Sequence, residues 1–441
     1  MRSDHLNFHL SRRDMLSGMA KLGAAGAIVA GGGGALATAA GAGTGHGHGD
    51  NPEMPNGSTL VRTDYDDSFS IEGALNGEWA KATQARYGKD DQLGSLNEIT
   101  PRKTAQAIKL LEGGKEVVTY RMGHLMVNGM PGFNTFPPRK YSQRLIALGY
   151  TPNAVTTEWF STDTRGNEGE DEWRRADRAS TGGLGYFQGP TGFGTNNLSA
   201  HEERLLEGGT YQIATQLDNL SHVGVGHIFY NGYDAREFAK PTGATKLGME
   251  HVPPFVTRGV IIDILDLKMS QGATGDIQTV NGNKMLTDSY RITLEDIQAA
   301  MKRTRVGKIR AGDVVCFRTG WHHLGDDPAT YDKYLATEPG IYLREARWLV
   351  DHRPAVVAAD TWALEVLPGV PTSDPGQLFT VHQELIVKNG IRIGEAVIVK
   401  DLAEDGVHEF VYSYSPQYAK GATAGNVPPI GMAVKKSKGR R

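Results

Sequence analysis

Apolar residues dominate 259–265 (GVIIDIL), 313–318 (DVVCFR) and 355–359 (AVVAA). Continuous apolar runs of this length read as strands. KEVVTYR (115–121) and IRIGEAVIV (391–399) read as further strands. Between them the apolar period lengthens to that of helices. Thr100 to Glu112 has Thr100 as N-cap, Pro101 at the first helical position and Gly113-Gly114 as a stop. Thr293 to Thr304 carries Glu295-Asp296 in its first turn, where the helix dipole favours acids. HQELIVK (382–388) begins a third helix, ended by Asn389-Gly390. Strands alternating with helices predict an α/β domain. Met130-Pro131-Gly132 marks a turn followed by a polar loop to about Tyr150. Residues 160–200 show no periodicity and read as a long insertion loop, a kind that often carries function.

The first fifty residues follow another pattern. Ser11-Arg12-Arg13-Asp14-Met15-Leu16 carries a twin-arginine motif. A Gly/Ala-rich apolar run from Gly18 to Ala40 follows, with Ala37-Thr38-Ala39 as a small-residue cleavage site. Glycines 31–34 make it a poor spanning helix. The expectation is an export signal over 1–39, a flexible linker over 40–58 and a catalytic domain over 59–434. A basic tail, KKSKGRR, occupies 435–441. The export machinery is then a partner, the destination is periplasmic or secreted, and no membrane association outlasts removal of the leader.

Composition narrows the chemistry. The chain has 441 residues, 39% hydrophobic, with a net charge of −3 and a pI near 6.5. Neither nucleic acid nor anionic membrane fits that balance as a main partner. The single cysteine, Cys316, excludes internal disulfides and cysteine metal clusters, and its flanks place it in a buried strand. G-x-S-x-G, the phosphate-binding P-loop and H-E-x-x-H do not occur.

The densest polar constellation is YQIATQLDNLSHVGVGHIFYNG, from Tyr211 to Gly232. Gln216, Asp218 and His222 lie at even offsets, so on an extended chain they share one face. An amide, a carboxylate and an imidazole together suit a divalent ion or a proton shuttle. A satisfied polar loop with one structural histidine fits the same residues. A second constellation pairs His382 at a helix start with Glu395 on the returning strand, while Glu384 is expected to face solvent. Lesser candidates are Asp360 and Glu365 beyond an apolar strand, His322-His323, His227 and His124.

Five blocks occur in an order that resembles the cyclase family, also called kynurenine formamidase-like: DQLGSLNEITP (91–101), RGVIIDI (258–264), GDVVCFRTGW (312–321), ADTWALEV (359–366) and HQELIVKNGIRIGE (382–395). The family signature H-x-G-T-H-x-D-x-P-x-H falls on 212–222. Thr215, Asp218 and His222 match it, and Gln212 and Gln216 replace its first two histidines. The resemblance implies a swivelling β/β/α fold in a single domain with loop insertions, assembled as a homodimer or homotetramer. The family pattern can hold two metals; with two histidines replaced, one divalent metal ion, manganese or zinc, is expected on Asp218, His382 and Glu395, with Gln216 as a possible fourth ligand. It implies hydrolysis of a C–N bond in a small amide, formamide or cyclic amide such as isatin. Asp218 and His222 would be catalytic, His222 as the proton carrier. His227, Tyr230 and Trp362 are the expected substrate contacts, with Phe229 as a further aromatic wall. A lyase, dehydratase or lactone-forming cyclase uses the same scaffold, and the two glutamines also suit a small-molecule binding protein without catalysis.

Overall fold

The computed structural model describes residues 65–133, 139–148, 200–205, 209–370, 374 and 376–435. The expected leader, the linker and residues 160–199 of the insertion loop lie outside the described residues. Of the expected tail only Lys435 is described. It still pairs with the body, its backbone N–H donating to Glu116 at 2.9 Å and its ammonium 2.6 Å from the Glu116 carboxylate.

One mixed sheet of nine strands organises the chain. In chain order these are β1 (Val117–Arg121), β2 (Gln216–Asp218), β3 (Phe255–Asp263), β4 (Val314–Arg318), β5 (Val356–Ala359), β6 (Arg392–Glu395), β7 (Glu409–Tyr414), β8 (Ala424–Gly425) and β9 (Ile430–Val434). Their spatial order is β1-β9-β7-β3-β4-β5-β6-β2-β8. The centre, β3-β4-β5-β6, is parallel, and antiparallel strands flank it on both sides. The continuous apolar runs are the reason. Val260 to Ile262, Val314 to Phe317 and Val356 to Ala358 are completely buried, as strands covered on both faces must be. Cys316 lies in that core as expected, and burial pushes its thiol pKa up, away from thiolate chemistry.

Helices form where caps allow. α1 (Pro101–Ile108) is capped by Thr100, whose hydroxyl accepts from the Lys103 backbone N–H. α2 (Ile264–Gln271) follows β3, capped by Asp263. α3 (Leu294–Thr304) has a full capping box between Thr293 and Asp296. α4 (Leu343–His352) buries Leu343, Ala346, Trp348 and Leu349 on one face. The helix expected from 382 begins two residues earlier, as a turn over Thr380–His382, and widens into a π-helix over Gln383–Lys388. The polar loop before Tyr150 contains a strand, Gln143–Leu148, paired antiparallel with Ala200–Leu205. The fold is α/β, built on one large mixed sheet.

Candidate functional site

Three elements meet at one end of the parallel centre. β2 lies antiparallel to β6, setting Gln216 opposite Glu395 and Leu217 opposite Gly394. Strand alternation puts Gln216 and Asp218 on a common face, as their spacing predicts. His222 joins them differently. β2 stops at Asp218, and a turn closed by the His222 N–H donating to the Asn219 carbonyl brings the imidazole back. The even offset to His222 is therefore not a strand effect. From the third element, His382 places Nε2 3.3 Å from Glu395 Oε1 and 3.7 Å from Asp218 Oδ2. His222 Nε2 lies 3.9 Å from the same Asp218 oxygen.

Glu365 fixes His382. Its carboxylate accepts the backbone N–H groups of Val381 and His382 at 3.2 and 3.1 Å, capping the helical turn, and lies 2.6 Å from His382 Nδ1. A carboxylate on Nδ1 turns Nε2 towards the cluster, as it does behind metal-binding histidines. Glu338, wholly buried, accepts the N–H groups of Trp362 and Ala363 at 2.9 and 3.1 Å and so pins the loop between β5 and Glu365.

Ligand atoms of Asp218, His382 and Glu395 lie within 4.8 Å of one another. Both carboxylate oxygens of Asp218 are buried without a hydrogen-bond partner, and so is Gln216 Oε1. Leaving such acceptors unpaired is costly. Burial, aided by the Glu395 charge, pushes the Asp218 pKa up to about 6. Burial works against a charge on His382, yet hydrogen bonds to Glu365 and Glu395 prevail and hold its pKa well above the usual value. Two carboxylates, an imidazole and an amide oxygen, all buried and converging, fit a divalent cation.

The glutamines in place of the signature histidines form a chain. The Glu395 carboxylate only accepts, so the Gln216 amide donates to it, and also to Gln212 Oε1 at 3.0 Å. Gln212 Nε2 then faces His222 Nδ1 at 3.0 Å. In this order the neutral imidazole carries its hydrogen on Nε2, towards Asp218. Burial lowers the His222 pKa, keeping the ring neutral near pH 7, while 19% of its side chain stays exposed.

Above the cluster opens a narrow cleft, lined among others by Phe133, Arg139, Gln212, Gln216, Tyr334 and Trp362. Phe133 stacks on Trp362 at 5.1 Å, and Phe379 joins that pair to the His382 ring. Trp362, expected at the substrate, is thus a wall of the cleft.

Other expected residues are placed elsewhere. Tyr230 is completely buried, packs on Gly390 and donates its hydroxyl to Asp91 at 2.8 Å. His227 is 46% exposed beside Asp234 at 3.7 Å. Neither lines the cleft, and Phe229 packs against Phe238. Glu384 is buried instead of facing solvent, because Arg347, Lys388 and Asn389 enclose its carboxylate. Asp360 holds the turn after β4, accepting the N–H groups of Thr319 and Gly320 at 2.8 Å, with His322 at 3.2 Å. His124 and His323 both bond Asp326. Arg139, Glu338 and Tyr334 escape a reading of the chain, since nothing in their neighbouring residues marks them. Glu365 carried a signal, its place beyond an apolar strand.

Comparison with known proteins agrees with this architecture. The family model described as "Putative cyclase" matches residues 131–366. A solved structure titled as a novel cyclase is 27% identical, with a TM-score of 0.56, covering 79% of this chain and 96% of that one. Isatin hydrolase A from Labrenzia aggregata, bound to benzyl benzoate, is 16% identical (TM-score 0.43, 72% and 94% covered). Isatin hydrolase A from Ralstonia solanacearum is 14% identical (TM-score 0.45, 75% and 96% covered). No curated protein sequence matches the chain.

Proposed function

Because this chain belongs to the cyclase family, we propose that it is a metal-dependent hydrolase that cleaves a C–N bond in a small aromatic amide, formamide or cyclic amide. The observation that carries the reading is the buried Asp218 carboxylate, without hydrogen-bond partners and within ligand distance of His382 and Glu395. Those three residues would hold the ion, with Gln216 Oε1 as a fourth donor; manganese or zinc suits the set. When bound, the ion supplies Lewis acidity, polarising a carbonyl and lowering the pKa of water.

The chain's own groups do the rest. Glu365 keeps His382 turned towards the cluster. The cleft aromatics flank a planar substrate and exclude water. His222 is the proton carrier: neutral at pH 7, it takes a proton and returns it to the leaving nitrogen. The imidazolium then faces the Asp218 carboxylate across Nε2. The leader motif adds the proposals of twin-arginine export and a periplasmic or secreted location, and the family resemblance adds homo-oligomeric assembly.

The test uses purified protein loaded with Mn²⁺ or Zn²⁺ and a panel of aryl formamides and cyclic amides in ¹⁸O-water. The expected result is one ion per chain and one ¹⁸O in the product acid. His222→Ala should lose turnover and keep its ion, whereas His382→Ala should lose both. Product without solvent oxygen would transfer the reading to elimination chemistry. A protein that takes up no divalent ion would end it.

A further inference from the structure

Arg139 lines the mouth of the cleft, half-buried, and its charge acts on both Asp218 and His222. Among the described residues no carboxylate pairs with its guanidinium. Other buried or half-buried arginines have their donors taken up: Arg258 by Asp313 and Glu409, Arg291 by Asp67 and Glu345, Arg318 by Asp263, and Arg392 by Asn219 and the carbonyls of Leu93 and Gln92. An arginine turned into a cavity without a counter-ion is a recognition group for planar anions. A second unpaired donor shares the cleft: Trp362 Nε1 is buried without an acceptor, on the ring that stacks on Phe133. Tyr334, wholly enclosed, lines the same wall.

The polarity of the cleft is thus divided. Its floor carries acceptors, Asp218, Glu395 and Gln216 Oε1, which suit a cation. Its rim carries donors, which suit an anion. The two ligand carboxylates offset the charge of a divalent ion and leave Arg139 without a counter-charge among the described residues. We propose that the cleft selects aromatic substrates bearing an anionic group, a carboxylate or its equivalent on the ring, held by Arg139 while the ring lies against Phe133 and Trp362. This rests on the cleft being the substrate site of the proposed function.

The test separates the two ideas by reading binding and turnover independently. Calorimetric titration of the Mn²⁺-loaded protein compares benzoate with its neutral isostere benzamide. The wild type should bind benzoate about tenfold more tightly, the scale of one charge-assisted contact at a partly exposed site. Arg139→Gln should abolish that preference and leave benzamide within about twofold, and Arg139→Lys should keep part of it. Equal affinities in the wild type would overturn the proposal. So would a preference that survives in Arg139→Gln, because benzoate would then be held by the ion alone. Formate release from neutral formanilide is measured on the same preparation. Benzoate selectivity without formate leaves the anion site standing and removes the hydrolase reading. Formate without benzoate selectivity does the reverse.

Discussion

Glu365 does two jobs with one carboxylate, and they separate on substitution. It caps the turn that starts at Thr380 and fixes the ring of His382 from behind. Glu365→Gln keeps a cap acceptor and removes the charge on Nδ1. Affinity for Mn²⁺ should fall about 10- to 100-fold, the usual cost of losing a partner behind a metal-binding histidine, while thermal unfolding changes little; chelator competition measures it. Asp218 gives a pH prediction. Its pKa in the fold, about 6, lies above the 3.8 of a free aspartate. A raised carboxyl pKa means stability present below the unfolded value and lost as pH rises through the folded one. The window is therefore roughly pH 4 to 6, and the full cost above it is about 3 kcal/mol. In metal-free protein, Asp218→Asn should be more stable than wild type at pH 7 by up to that amount and equal to it near pH 4. A constant difference across the range, read by urea unfolding, would refute the assignment. Asp218, His222, His382 and Glu395 were legible in the chain because a family pattern runs through them. Arg139 was not, since what marks it is a missing partner in space.

At the scale of elements, legibility followed length and covering. β3, β4 and β5 announced themselves as apolar runs because both of their faces are buried. β2 is three residues long and bears Gln216 and Asp218 on one face, so neither period nor composition reveals it. The π-helix over Gln383–Lys388 is equally silent, because one widened turn is too short to show a period. α3 was legible from the acids in its first turn, and the cap that the structure adds can be tested. Thr293 accepts from the Asp296 N–H, and Asp296 returns the bond to Thr293. Thr293→Ala should cost about 1 kcal/mol, seen as a lower urea midpoint with an unchanged slope; no shift would mean that tertiary packing alone holds the helix.

For the whole molecule, the α/β class followed from alternating elements, whereas the sheet order did not. Local patterns cannot say that β9 lies between β1 and β7, or that β2 inserts antiparallel between β6 and β8. That insertion builds the site. A purely parallel sheet would end at β6, leaving Glu395 on an edge and Asp218 elsewhere. Pairing across β6 and β2 welds two donors into one ladder, and the third arrives on a helix anchored through Glu365. The centre therefore belongs to the sheet's topology more than to any one segment.

Four residues beside this centre, Ala214, Leu364, Phe379 and Ala396, hold left-handed backbone angles between 47° and 66° without being glycine. Each sits within three residues of Gln216, Glu365, His382 or Glu395. Such angles cost on the order of 1 kcal/mol each. A library screened only for heat resistance should thus accumulate glycine or asparagine at these four positions, and its winners would carry a slackened centre. Selecting for turnover would keep the four present side chains.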